Sequence, residues 1–426
     1  MPRDLPVDVR HNPSADYTRL PRQGRQGRPY DPSDAQPLKE PAPLDLVVTL
    51  RNHRGQLHMS ADQPGVRTPR TRQHHAWLRT SATDLLAGAA RLRAAWRDRL
   101  LAYEPEESIG YLPFTHTIDF RPLAPVADRR IAELAERGRY FLEMMLDGPD
   151  RELTIFRTHL LQVLTEQGSL RISFDSDLHL PWPMLAVDGG HGDLWTDFLG
   201  HRHQVEQTGA AYPPIQPPYP ARTRPVTSLN TDDQLEGVGR APEVRKLLED
   251  RSQLTVRNKS DLLLEALSRA VLDEDVMYFW CHGQFVSNDS PYEQLAVRLT
   301  DDLQIDADLV RQHRRRHRDA QNAMFRPFVL LNACHAGQSA AAELEHLGRA
   351  LVDLGANGVL GPQLQIPQVF AAEYAFAFLD LYLTGEFTAG EITQQLVRWF
   401  AREYRNPLAL TYSLHCGIDS ILELTP

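Results

Sequence analysis

Two apolar runs in this sequence stop at side chains that can do chemistry. VMYFWCHGQF, residues 276–285, places His282 and Gly283 behind six consecutive apolar residues. FVLLNACHAGQ, residues 328–338, places Cys334 just past a second run. A thiol is nucleophilic as its thiolate, and an imidazole that titrates near neutrality is a natural proton acceptor for it. Attack on a carbonyl builds charge on oxygen, which needs N–H donors already in place. The amide of Gly283 has no side chain in its way, and the amide of Cys334 is the second candidate donor. Taken singly, Cys334 reads as a small buried hydrophobe and His282 as a satisfied strand end. Occurring together, at matched strand ends with flanking glycines, they read as a His282–Cys334 dyad with Gly283 and Cys334 as oxyanion donors.

The remaining candidates carry less. Cys281 and Cys416 lie in apolar contexts and read as core. His201 and His203 have no partners at metal-ligand spacing, so no metal is expected. GVGRAPE lacks a dinucleotide fingerprint and there is no P-loop, so no cofactor is expected. The basic run RQHRRRHRD at 311–319 reads as a solvated helix end, and the basic stretch at 66–75 as a loop. A formal net charge of −10 opposes a nucleic-acid partner. Three cysteines make no disulfide framework and fit a reducing cytosol. No apolar run approaches the ~20 residues of a membrane span. The polar N-terminus shows no signal peptide, so the expected location is cytoplasmic.

The elements that must position the two groups come from the pattern of the chain. Residues 1–43 hold few apolar clusters and are expected to be flexible. Residues 44–208 read as a smaller α/β half: an alternating strand LDLVVTLRN with a hairpin partner, helices TDLLAGAARLRAAWRDRLL and RRIAELAERGRYFLEMML, then a strand and turn in LRISFDSDLHLPWPMLAV. The proline cluster at 209–227 reads as a linker. Beyond it strands and helices alternate, and the strands are continuously apolar. That pattern implies a mostly parallel sheet covered on both faces, a three-layer α/β domain over 216–426. In such sheets functional groups collect past the carboxyl ends of the strands, so two neighbouring strands deliver His282 and Cys334 to one crevice.

Histidine precedes cysteine by 52 residues (334 − 282), the order and spacing of caspase-type cysteine proteases. FWCHGQF and LLNACHAG resemble the His-Gly and Ala-Cys motifs of the CHAT family, caspase-like proteases related to separase. The resemblance extends to LRISFDSDLHLPWPML, to LGANGVLG and to NPLALTYSLHCGIDSILEL, covering roughly 130–426. Pro183 departs from the usual glutamate, and His335 from the usual small, polar or acidic residue. The resemblance implies a caspase-like fold preceded by an inactive caspase-like half. It implies a cysteine endopeptidase with His282 and Cys334 as its dyad, acting on a protein substrate in bacterial defence or regulated cell death, a gasdermin or dedicated effector for example. A separate activating or sensor protein is expected, since no sensor repeat is visible. The competing class is a non-catalytic interaction module, which has no need of a matched nucleophile and base. The resemblance also sets Asn332, two residues before the cysteine, near the pocket for the substrate side chain preceding the cut. A neutral wall implies an uncharged side chain there. Asp232 and Asp233, after the first strand of the second half, are the alternative: a carboxylate in the crevice selects arginine or lysine.

Overall fold

A computed structural model of the chain describes residues 42–64, 74–105, 110–166, 168–189, 194–209, 222–286, 294–301, 303–315, 324–335 and 344–425. The segment 1–41, most of the proline-rich stretch and the end of the basic run 311–319 lie outside the described residues.

The first half begins with a meander of β1 (Leu46–His53), β2 (Gln56–Asp62) and β3 (His74–Trp77). Helices α1 (Ala82–Trp96), α2 (Pro113–His116), α3 (Ala124–Met145) and α4 (Arg151–Glu166) follow. Strand β4 (Arg171–Ser176), the one-turn α5 (Leu199–Arg202) and β5 (Gln204–Thr208) complete it. The second half holds β6 (Val226–Thr231), α6 (Ala241–Arg251), β7 (Gln253–Arg257), α7 (Ser260–Leu267), β8 (Val271–Leu272) and β9 (Val276–Val286). It continues through β10 (Gln294–Arg298), β11 (Gln304–Ile305), α8 (Ala307–Arg314), β12 (Met324–Phe325), β13 (Phe328–His335) and α9 (Leu344–Asp353). It closes with β14 (Gly358–Pro362), α10 (Gln368–Tyr382), α11 (Ala389–Tyr404) and β15 (Tyr412–His415). The last residues of the expected linker, Val226 and Thr227, thus already belong to a strand.

Among the described residues the sheet has 13 strands and is mostly parallel. In the second half the parallel order is β7-β6-β9-β13-β14. The apolar runs need two covered faces, and they get them. Val276, Tyr278, Trp280, Phe328 and Leu330 enter the core shared with α6, α10 and α11. Met277, Phe279, Cys281, Val329, Leu331 and Ala333 enter a second core with α7, α8 and α9. Side chains alternate across a strand, so each run feeds both layers.

Strand β15 is the seam. It pairs antiparallel with β14, from Val359↔His415 to Pro362↔Tyr412, and parallel with β5 at His415↔Gln207. The approach is close: a Cβ on Gly417, whose φ is +82°, would meet the Asn357 carbonyl at 2.5 Å. Only glycine fits that position. The first core runs without a break from Trp182 and Phe198 to Phe400 and Tyr412, so the two halves share one interior. Side chains clasp the seam. Arg405 ends α11 in a left-handed conformation and grips both Asp128 oxygens, at 3.0 and 2.6 Å. Asn406 donates to the Ile118 carbonyl at 2.9 Å.

Candidate active site

β9 and β13 lie side by side, and their parallel register aligns Phe328 with Val276 and, seven pairs on, His335 with Gly283. Cys334 is the register partner of His282. Adjacent strands are about 4.8 Å apart, so these two backbones are as near as separate strands allow. Two-residue alternation puts both positions on the sheet face of Tyr278 and Leu330.

His282 does not end its strand, as the sequence implies. β9 continues to Val286, and His282 lies where the parallel neighbour β6 has stopped at Thr231. There β10 takes over, pairing Arg298 with His282 and Val297 with Gly283. The strand runs on because a hairpin partner is present to satisfy its backbone. Gly283 therefore lies in the ladder, between Val297 and His335.

The imidazole is partly covered, with 21% of its side-chain surface exposed. Nε2 is 3.5 Å from Oδ2 of Asp232, whose side chain is 3% exposed. Burial holds the imidazole below its ordinary titration range. Asp232 opposes this, and Arg298 reinforces it. The ring is accordingly neutral at pH 7, the form that can accept a proton.

Residues 151–398, more than half of the chain, match the CHAT domain family model. The chain belongs to the CHAT family. This is a family of caspase-like cysteine proteases. A probable protease of Vitiosangium sp. (strain GDMCC 1.1324) is 29% identical over 139 residues, 32% of this chain and 17% of that protein. The chain thus spans a small part of that relative's length. Among solved structures, the separase–securin complex of Saccharomyces cerevisiae matches at 10% identity with a TM-score of 0.46, over 87% of this chain and 30% of that one. The Arg-specific cysteine proteinase gingipain R matches at 10% identity with a TM-score of 0.39, over 71% of this chain and 70% of that one.

In this CHAT-family chain the other expected site residues are dispersed. Asn332 has no exposed surface. Its amide donates to the Ala371 carbonyl at 2.9 Å and accepts from the Tyr412 hydroxyl at 2.8 Å, tying β13 to α10 and β15. Asp233 accepts from the Asn258 amide at 3.1 and 3.0 Å, and its own N–H donates to Thr300 Oγ1. Asp232 alone of the three reaches the imidazole. Cys281 is buried in the second core. Cys416 is buried, and burial together with the charges of Glu206, Asp175 and Asp353 pushes its thiol up to about 12. His203 is enclosed: Nδ1 accepts from the Leu170 N–H and Nε2 faces the Leu164 carbonyl, both at 3.1 Å. Among the described residues no group of three or more His, Cys, Asp or Glu can hold a metal. Nor is any described helix long and apolar enough to cross a membrane.

Sequence reading missed Arg298 beside the imidazole. Its only local signal is membership of an alternating segment, LAVRL. Register across the hairpin, rather than any motif, brings it to His282.

Proposed function

We propose that this protein is a cysteine endopeptidase whose dyad is His282 and Cys334. The observation that carries the reading is their pairing across adjacent parallel strands, with a neutral imidazole on one side. The Cys334 thiol passes its proton to His282 as Sγ bonds to the substrate carbonyl carbon. The carbonyl π pair moves onto oxygen, where the amides of Gly283 and Cys334 are the proposed donors. When the oxyanion collapses, the peptide C–N bond breaks and the leaving nitrogen takes the proton from His282. Water, deprotonated by the same ring, then releases the acyl group and restores the thiol. For Gly283 to serve, its amide must be turned out of the sheet, where strand alternation directs it at β13.

The proposed substrate is a protein, and the proposed setting is bacterial defence or regulated cell death, with a separate activating protein. Both rest on family resemblance. The expectation of an uncharged residue before the cut requires Asn332 to line the pocket. With its amide engaged on both ends inside the fold, Asn332 offers a substrate no hydrogen bond. Among the described residues Asp232 is the carboxylate beside the imidazole, so peptides with arginine or lysine before the cut belong in any specificity panel.

Co-expression with candidate substrates, wild type against Cys334→Ala, is the test. Cleavage by the wild type and none by the variant is expected. Undiminished cleavage by the variant rejects the dyad. Co-purification of a partner that the wild type never cuts favours the interaction-module reading.

A further inference from the structure

We infer that Asp232 is a positioning residue for His282, fixing which ring nitrogen faces the thiol; the inference rests on the dyad reading above. The carboxylate is held at both ends. Oδ1 accepts from the Gln234 N–H at 2.9 Å, capping the short turn Asp233–Leu235. Oδ2 stands 3.5 Å from Nε2 of His282. That separation is long for a hydrogen bond, as such contacts often are before substrate tightens a site.

The turn that carries Asp232 is bolted to the strand that carries His282. The Asp232 N–H donates to the Trp280 carbonyl at 3.1 Å. The Trp280 indole N–H returns a bond to the Leu235 carbonyl at 2.9 Å. Asp233 is moored to Thr300 and Asn258 on the other side. Carboxylate and imidazole therefore share one frame: His282 is two residues beyond Trp280 on β9, and Asp232 is hydrogen-bonded to the Trp280 carbonyl. A side chain only 3% exposed and used as a cap is poorly suited to meet solvent-borne substrate directly.

The chemistry follows from which nitrogen is engaged. With Nε2–H directed at Asp232, the neutral ring keeps its lone pair on Nδ1, the nitrogen left for the residue opposite, Cys334. Transfer of the thiol proton to Nδ1 makes an imidazolium that the carboxylate stabilises. No proton passes to Asp232. Among the described residues, the charged groups acting on the ring are Asp232, which favours the imidazolium, and Arg298 on β10, which opposes it. Asp232 thus keeps the ring basic enough to hold the thiol proton despite burial and a neighbouring guanidinium.

The test uses the full chain; its first arm needs no substrate, and a second follows cleavage of peptides with arginine or lysine before the cut. The alkylation rate of Cys334 by iodoacetamide is followed by mass spectrometry from pH 5 to 9 in wild type, His282→Gln and Asp232→Asn. Asparagine keeps an oxygen for the Gln234 cap and removes the charge, so the melting temperature should stay close to wild type. Asp232→Asn is expected to slow alkylation at pH 7 about tenfold, the effect of losing one close opposite charge. His282→Gln should slow it at least as much. If His282→Gln leaves the rate unchanged, the dyad itself fails. If His282→Gln slows the reaction and Asp232→Asn does not, only the positioning role fails. Loss of cleavage after arginine or lysine alone, with alkylation unmoved, makes Asp232 a substrate contact and overturns the inference. A measurement on the unmutated chain guards against misfolding of the variant. Imidazole ¹⁵N NMR, assigned with His282→Gln, should find the neutral ring protonated on Nε2, and a ring protonated on Nδ1 overturns the proposal.

Discussion

Cys334 and Cys416 both stand at the ends of strands in one sheet, the first within β13 and the second directly after β15. Their neighbours differ. Cys334 is opposite an imidazole across a parallel register. Cys416 is enclosed near Glu206, Asp175 and Asp353, whose charges together with burial push its thiol far above neutrality. The two ends of the sheet differ in the same way. Where β4 ends, the first half has Asp175 ion-paired with Arg51. The comparison teaches that a strand end supplies a place and the adjacent charges supply reactivity.

Removing each thiol in turn should have the largest effect. Cys334→Ala should cut proteolysis by at least about a thousandfold, as loss of a nucleophile does. Cys416→Ala should keep activity within about twofold. Equal losses in both variants would falsify the assignment of the nucleophile.

Reagent selectivity comes next. Brief treatment with iodoacetamide should label Cys334 at least about a hundredfold faster than Cys416, because only the thiolate reacts. Peptide mapping that finds Cys416 or Cys281 labelled first, with activity intact, contradicts the contrast.

A third experiment separates core from pocket. Asn332→Ala orphans the Ala371 carbonyl and the Tyr412 hydroxyl and leaves a small void. It should destabilise the fold by about 4 kcal/mol in denaturant titration. A near-normal midpoint with altered substrate preference would instead put Asn332 in the pocket.

A buried histidine of the first half makes stability depend on pH. His203 is neutral in the fold, its pKa pushed down to about 4 by burial. The unfolded chain binds that proton below about pH 6.5. Its contribution is therefore fully present above pH 6.5 and is lost as pH falls towards 4, roughly 3 kcal/mol in all. Glu206 slopes the opposite way, since burial raises its pKa. The difference between wild type and His203→Gln isolates the histidine. Urea midpoints for the two that fall in parallel from pH 7 to 4.5 would rule the effect out.

The smallest effect is local. Thr388 caps α11 and Glu391 completes the box, with bonds of 3.2 and 2.8 Å. Thr388→Ala should cost about 1 kcal/mol in thermal unfolding without touching the crevice.

Much of the second half was legible in the sequence because its signals are local. Runs such as VMYFWC are short, unbroken and rich in β-branched and aromatic residues, as central strands are, α9 and α11 show their apolar stripes, and helix caps are short-range chemistry. RELTIFRTHLLQVLTE carries the helical stripe of α4 just as locally. β15 was not separable from its surroundings, because four residues give no period to read. It becomes a strand only where β14 and β5 offer it partners.

The sequence by itself determined that an imidazole and then a thiol follow two buried runs, in an order that fits one class of nucleophilic chemistry. It also determined the unbroken apolar character that makes those runs strands covered on both faces. Tertiary structure decided the rest. Register set Cys334 opposite His282 and carried Arg298 to the same ring from a hairpin. Packing turned Asn332 inward to α10 and β15, and folded the turn after β6 so that Asp232 meets Nε2. The physical reason is range. Periodicity and capping act over a few residues and are written locally, whereas register, burial and the field at a titrating group are sums over segments far apart in the chain.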